Sequence, residues 1–205
     1  MAEKIPVVVL GATGSVGQRM VQLLDSHPWF EVVGLTGSDR SIGRTYGEVC
    51  HWVLTDPMPE RAARMTVLPT DPAAAPAKVA FSALPTDLAR DLEPLYARAG
   101  AAVCSNASAF RNEADMPILL PEVNAEHAAI IPRQRRERGW SGCIVTNPNC
   151  TSTGLTVAFK ALQEAFGLRR ALVVSMQAIS GAGYPGVSAL DILDNVIPNI
   201  NGVEA

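Results

Sequence analysis

Two short segments of this 205-residue sequence carry residue types whose spacing suits chemistry. The first is Gly11-Ala-Thr-Gly14-Ser-Val-Gly17, which lies between an apolar run and a pattern of Val16, Met20, Leu23 and Leu24 at helical spacing. Glycines at such a turn allow a tight bend and close backbone approach, and the helix start that follows attracts the pyrophosphate of a dinucleotide. A glycine turn also serves plain strand-to-helix geometry; the strand before this one and the amphipathic helix after it favour the nucleotide. The second segment is Asn147-Pro-Asn-Cys150-Thr-Ser, at a strand end where a helix begins. A thiol there lies at the positive end of the helix dipole, which favours the thiolate, and the first-turn amides with the Asn149 amide could hold an oxyanion. A buried cysteine with Asn149 as a plain N-cap fits the same position, and position alone leaves both readings open.

The segment Gly37-Ser-Asp39-Arg40-Ser41 bears on the choice of cofactor. An acid at the end of the second strand accepts ribose hydroxyls, so Asp39 argues for NAD, whereas Ser38, Arg40 and Ser41 argue for NADP. An arginine fork flanked by hydroxyls suits a 2′-phosphate better than a ribose, and NADP is the expectation. A reactive cysteine combined with a nicotinamide site suggests one reaction class. The thiolate attacks an aldehyde, hydride leaves to the nicotinamide, and phosphate, coenzyme A or water cleaves the thioester. That sequence needs a base, usually histidine. His27, beside Pro28, His51, before Trp52, and His127, on a surface helix, each read as structural or solvent-facing. Cys50, Cys104 and Cys143 lack the flanks of Cys150 and read as inert.

Holding these segments in place takes a sheet with helices on both faces. Lys4–Leu10 is a near-continuous apolar run of the kind a covered parallel strand needs. Glu31–Thr36, Val79–Ser82, Ala101–Ser105 and Cys143–Thr146 read as further strands, with a helix over Asp87–Arg98 and another over Cys150–Phe166. The second helix puts Leu155, Ala158, Phe159, Leu162 and Phe166 on one face, and Leu172–Ile179 reads as a strand leading to a second glycine turn, Ser180–Gly186. The alternation indicates an α/β, doubly wound, Rossmann-like parallel sheet. The stretch from Thr55 to Pro76 gives no clear pattern.

Composition narrows the partners. With 48% hydrophobic and 18% charged residues the chain can build a core, and a net charge of −3 gives no reason to expect nucleic acid. The basic run Arg133, Arg135, Arg136 and Arg138 reads as a solvated face before an anion site. No apolar run approaches the ~18 residues of a membrane span. Four scattered cysteines without a C-x-x-C pair suit a reducing cytoplasm and no metal.

Together the segments GATGSVGQ (11–18), GSDRSIG (37–43), FSALP (81–85), SNASAFR (105–111), LPEVN (120–124), RGWSGCIVTNPNCT (138–151) and SMQAISGAGYPGVSALDILDNVIP (175–198) resemble aspartate-β-semialdehyde dehydrogenase, in its archaeal and fungal form. The resemblance covers essentially the whole chain, and the nucleophile and QAISGAGYPG segments occur together in order. It implies NADPH-dependent reduction of β-aspartyl phosphate to aspartate semialdehyde, feeding lysine, threonine and methionine synthesis. It implies that Cys150 is the nucleophile, Asn149 its oxyanion or orientation partner and Gln177 a substrate-positioning amide. By the same resemblance Arg111 would receive the acyl phosphate or free phosphate beside Asn106. Gly11, Thr13, Gly14, Ser15 and Val16 would hold the pyrophosphate, and Ser38, Arg40 and Ser41 the 2′-phosphate. Ser82, Leu84 and Pro85 resemble the loop along the cofactor, and Ser180, Gly181 and Gly183 the loop by the nicotinamide.

Members of that family are longer and supply their catalytic histidine and a substrate-carboxylate arginine from sequence after the position of Ala205. The resemblance therefore implies an NADP domain over residues 1–146 and the first, incomplete part of an α+β catalytic domain over 147–205. It also implies a chain without full activity, and a homodimer or homotetramer once that domain is whole. Two alternatives are a malonyl- or succinyl-CoA reductase on the same scaffold and a non-enzymatic dinucleotide-binding module.

Overall fold

The computed structural model describes residues 3–182 and 186–197, which fall into two compact units, Met1–Ala171 and Leu172–Ala205. The first unit is built on a six-stranded, all-parallel sheet. Its strands are β1 (Ile5–Leu10), β2 (Phe30–Thr36), β3 (Val67–Leu68), β4 (Val79–Ser82), β5 (Ala102–Ser105) and β6 (Cys143–Thr146). They run in the order β3-β2-β1-β4-β5-β6, so the winding reverses between β1 and β4. That is the doubly wound topology expected from the alternation of elements, with its ligand crevice at the carboxyl ends beside the reversal.

The central strand shows why the sequence folds this way. Val7, Val8, Val9 and Leu10 have no solvent exposure, because both faces of β1 are covered. Val8 and Leu10 join Ala80, Leu84, Ala89, Tyr96 and Val103 in one core, beneath α4 (Thr86–Arg98). Val7 and Val9 face the other way, into a core with Val21, Leu24, Leu35, Tyr46 and Val67. That core lies beneath α1 (Ser15–Leu24) and α2 (Tyr46–Val49). Period-2 alternation thus feeds two cores from one apolar run. The stretch that gave no pattern holds α3 (Glu60–Ala63) and β3, elements too short to show a period.

Beyond β5 the chain forms α5 (Pro121–Asn124), a 3₁₀ segment (Ala125–Ile130) and α6 (Ile131–Arg138) before entering β6. α6 carries the basic run, much of it neutralised. Arg138 makes a bidentate ion pair with Asp115 (2.6 and 2.7 Å) under Trp140, and Arg133 pairs with Glu137. From the same helix the fully buried Gln134 seals the outer edge of β6. Its Nε2 donates to Ile144 O and its Oε1 accepts from Ile144 N, both at 2.9 Å.

α7 (Cys150–Phe166) follows β6 and matches the expected helix; on its apolar face Leu155 and Phe159 are half-buried, while Leu162 and Phe166 are exposed, Phe166 at 83%. The second unit holds a 3₁₀ turn (Ile179–Ala182) and α8 (Ala189–Ile192). The expected strand over Leu172–Ile179 does not form: residues 172–178 pair with no described strand, and Leu172, Val174 and Met176 are exposed. β propensity measures fit to a pleated, half-buried surface, and without a partner strand it is not realised.

Candidate active site

All the chemistry-bearing segments of the first unit lie at the carboxyl edge of the sheet. The glycine turn follows β1, Ser38–Ser41 follows β2, Ala83–Pro85 follows β4, Asn106–Arg111 follows β5, and Asn147–Cys150 follows β6.

At the glycine turn, Gly11 adopts φ 71°, and a Cβ there would lie 2.9 Å from Ala83 O in the neighbouring loop. A Cβ on Gly17 would collide with Gly11 O, so only glycine lets α1 start so close to the turn. Gly14 is the N-cap of α1 and offers no side-chain cap, leaving the amides of Ser15 and Val16 to a ligand or to water. A Cβ at Gly14 would have only Gly11 O within 4 Å, at 3.6 Å, so the space in front of the helix is open. This is a cradle that fits a pyrophosphate. After β2, Ser38, Asp39 and Arg40 are exposed while Ser41 is buried. Arg40 makes no ion pair with any described residue and stands available to an anion. Leu84 is buried and Pro85, the N-cap of α4, is exposed. The Ser82 hydroxyl is fully buried, turned beneath the site toward Glu93.

The ends of β5 and β6 are cross-linked. Arg111 Nε donates to Asn147 O and its NH2 donates to Asn106 O, each at 3.0 Å. Asn147 Nδ2 donates to Asn106 Oδ1 at 2.8 Å. The guanidinium is thereby fixed across the two strand ends, bonded to the first residue of the Asn147–Cys150 turn. Cys150 is the first residue of α7 and is exposed, which removes the reading of a buried structural thiol. Asn149 caps the helix, its Oδ1 accepting from Ser152 N at 2.7 Å, and this fixes the side-chain amide beside Cys150. Beneath these loops the buried Glu93 accepts from Ser105 Oγ at 2.7 Å, and Ser105 Oγ accepts from Ala107 N. Burial raises the Glu93 carboxyl, and the neighbouring Ser82 and Ser105 hydroxyls partly counter it.

The first unit therefore brings together Cys150, Asn149, Asn106 and Arg111. Gln177 and Gly181 lie in the second unit, where the Gln177 side chain fills the space a Gly181 Cβ would take. Ser180 begins that 3₁₀ turn's second residue, and Gly183 lies outside the described residues. Sequence reasoning missed Asn147 and the Glu93–Ser105 pair. Asn147 shares the turn of Cys150, a usable signal; a glutamate twelve residues before a serine gives none. No group of three or more metal-ligating side chains occurs among the described residues. His27 is not placed to act on Cys150: its Nδ1 accepts from Trp29 N and Phe30 N at the start of β2, at the opposite edge of the sheet.

Fold and site together define a doubly wound dinucleotide-type domain with an exposed cysteine at the helix start after its last strand. Residues 6–131 match the family model described as semialdehyde dehydrogenase, NAD binding domain, and the chain belongs to this family. It is 51% identical over 198 residues to an aspartate-semialdehyde dehydrogenase of Archaeoglobus fulgidus, covering 97% of this chain and 57% of that protein. Over its full length it is 37% identical to a malonyl CoA reductase (NADP) of Metallosphaera sedula, spanning 57% of it. Among solved structures, an aspartate semialdehyde dehydrogenase with NADP from Candida albicans superposes with a TM-score of 0.83 at 38% identity, covering 98% of this chain and 57% of that one. The chain thus spans little more than half the length of the relatives it matches.

Proposed function

We propose that this chain is the cofactor-binding and nucleophile-bearing part of an NADPH-dependent aspartate-semialdehyde dehydrogenase, acting on β-aspartyl phosphate through a thioester on Cys150. The observation that carries the reading is the Arg111 guanidinium fixed across the ends of β5 and β6 on Asn147 O, three residues before the exposed helix-start Cys150. An acyl phosphate needs both a cation for its phosphate and a thiolate for its carbonyl carbon.

Residues 1–146 form the cofactor domain, and residues 147–205 open the catalytic domain. Thr13, Ser15 and Val16 hold the pyrophosphate with their amides at the Gly11–Gly17 turn, and Ser38, Arg40 and Ser41 surround the 2′-phosphate. Ala83–Pro85 runs along the cofactor. From the glycine turn to the cysteine turn is three strand spacings, about 14 Å at ~4.8 Å each, a span that an extended dinucleotide bridges. Cys150 Sγ attacks the acyl carbon and phosphate leaves toward Arg111 and Asn106, forming the thioester. The Asn149 amide and the first amides of α7 stabilise the oxyanion. When bound, NADPH supplies the hydride that reduces the thioester to the aldehyde. Gln177 and the Ser180–Gly181 turn of the second unit carry the substrate-amide and nicotinamide-loop roles that the resemblance implies. His27, at the amino-terminal edge of the sheet, is not the proton-transfer base. The working enzyme is a homo-oligomer acting in the cytoplasm, in the synthesis of lysine, threonine and methionine.

The Metallosphaera relative favours a second reading, in which coenzyme A replaces phosphate as the leaving group. Assaying aspartate semialdehyde with NADP and phosphate against malonyl-CoA with NADPH separates the two; turnover of the CoA ester alone overturns the first. For the isolated chain, iodoacetamide labelling is the direct test. Cys150 should react faster than Cys104, whose thiol within β5 is pushed up to about 11 by burial, and NADPH should protect Cys150 while leaving Cys104 unchanged. Equal rates without protection would overturn the assignment of Cys150.

A further inference from the structure

We infer that Gln18 and Tyr46 are positioning residues for the pyrophosphate, holding the carbonyls of the glycine turn inward so that its amides face the ligand. The inference rests on reading Gly11–Gly17 as the cofactor turn and adds to it two residues outside the glycines. The carbonyls of Ala12 and Thr13 precede the N-cap Gly14, so the ladder of α1 gives them no donor. Side chains do so instead. The Tyr46 hydroxyl, fully buried on α2, donates to Ala12 O at 2.8 Å. The Gln18 carboxamide, 2% exposed, donates through Nε2 to Thr13 O at 3.0 Å and to His51 O at 2.9 Å. Its Oε1 accepts from Val53 N at 2.9 Å. One buried amide thereby joins the turn to the segment after α2.

In a trans peptide the carbonyl and the following N–H point in opposite directions. Holding Ala12 O inward on Tyr46 therefore aims the Thr13 amide outward, on the side where the first amides of α1 are open. The same anchoring keeps two carbonyl dipoles, which would repel a phosphate, turned away from it. Gly14 N donates to Gly11 O at 3.2 Å and completes the fixed turn. Gln18 alone suits the task at its position: two acceptors and one donor converge on it, matching an amide and no other side chain of that size. A carboxylate would face two carbonyl oxygens, and a methionine would leave His51 O and Val53 N without partners and Thr13 O with only the weak Cys50 thiol donor at 4.0 Å.

The test compares NADPH with adenosine 2′-phosphate, which lacks the pyrophosphate, on the full 205-residue chain. Fluorescence and calorimetric titrations of wild type, Gln18→Met and Tyr46→Phe give the affinities. Gln18→Met should weaken NADPH about tenfold or more, and Tyr46→Phe severalfold, with adenosine 2′-phosphate unchanged in both. A folded variant with wild-type NADPH affinity, or with both ligands weakened alike, overturns the inference. If Gln18→Met does not fold, Tyr46→Phe, which deletes one hydroxyl, decides on the same comparison. Failure of the wild type itself to bind NADPH would instead overturn the cofactor reading and the inference with it.

Discussion

Asn149 serves two ends at once, and its variants separate them. Its Oδ1 caps α7 through Ser152 N, while its proposed catalytic role belongs to the amide nitrogen. Asn149→Ala should lower stability by about 1 kcal/mol in urea unfolding, the usual cost of a lost N-cap. Asn149→Asp keeps an acceptor for the cap and should unfold at nearly the wild-type urea concentration. It also sets a negative charge beside Cys150, so the rate of Cys150 alkylation should fall severalfold while that of Cys104 stays unchanged. A loss of stability in the Asp variant equal to that in the Ala variant would contradict the capping role. The types at these positions were legible from the NPNC turn alone. The partnership of Asn147 with Asn106 and Arg111 was not, because it joins residues 36 and 41 positions apart.

At the scale of elements, the edge strand β6 leads into the Asn147–Cys150 turn, and its outer side is closed without another full strand. Gln134 pairs with both backbone groups of Ile144, while Thr146 N donates to Pro117 O and Leu119 N donates to Thr146 O. An unpaired edge next to this turn would slip or pair with other chains. Gln134→Leu leaves the Ile144 amide and carbonyl buried without partners, at about 1–3 kcal/mol for each orphaned group. The expected outcome is a large drop in the unfolding midpoint together with faster hydrogen exchange at Ile144; an unchanged midpoint would refute the clasp. Gln134 sits in a run of arginines and glutamates whose polarity reads as a solvated face. Nothing in that pattern distinguishes the one residue turned inward. α7 errs in the other direction: its apolar stripe reads as core, yet Leu162 and Phe166 are exposed.

Over the whole molecule, two carboxyls set opposite limits on stability with pH. The Arg138 hydrogen bonds hold Asp115 below the usual carboxylate range. Its stabilising contribution is complete above the unfolded value near pH ~3.9 and is lost as pH falls through the lowered folded value. Burial raises Glu93. Its contribution as the neutral acid is complete below the unfolded value near pH ~4.3 and is lost as pH rises through the raised folded value. Urea midpoints measured across pH should show Glu93→Gln gaining on wild type from about pH 5 upward. Asp115→Asn should be destabilised near neutrality and approach wild type in strong acid. Parallel curves for Glu93→Gln and wild type would mean that the Glu93 carboxyl titrates alike in the folded and unfolded states, so that burial does not raise it. A protonated Glu93 would also give the Ser82 hydroxyl a partner, since Ser82 Oγ and Glu93 Oε2 are both buried without one among the described residues.

The sequence by itself determined the winding of the sheet and the turns that carry chemistry. Apolar period and glycine placement are local properties, and in a parallel sheet every strand delivers its next turn to the same edge. Thus the glycine turn, Arg40, Arg111 and Cys150 could all be assigned to one edge before any coordinate was known. What only the tertiary structure decided is how those turns are held. Gln18 on Thr13, Tyr46 on Ala12, Glu93 on Ser105, Gln134 on Ile144 and Arg111 on Asn147 are all buried or strand-end hydrogen bonds made across the fold. Their side chains are polar residues with no periodicity to betray them, and their worth comes from the low-dielectric place in which folding puts them.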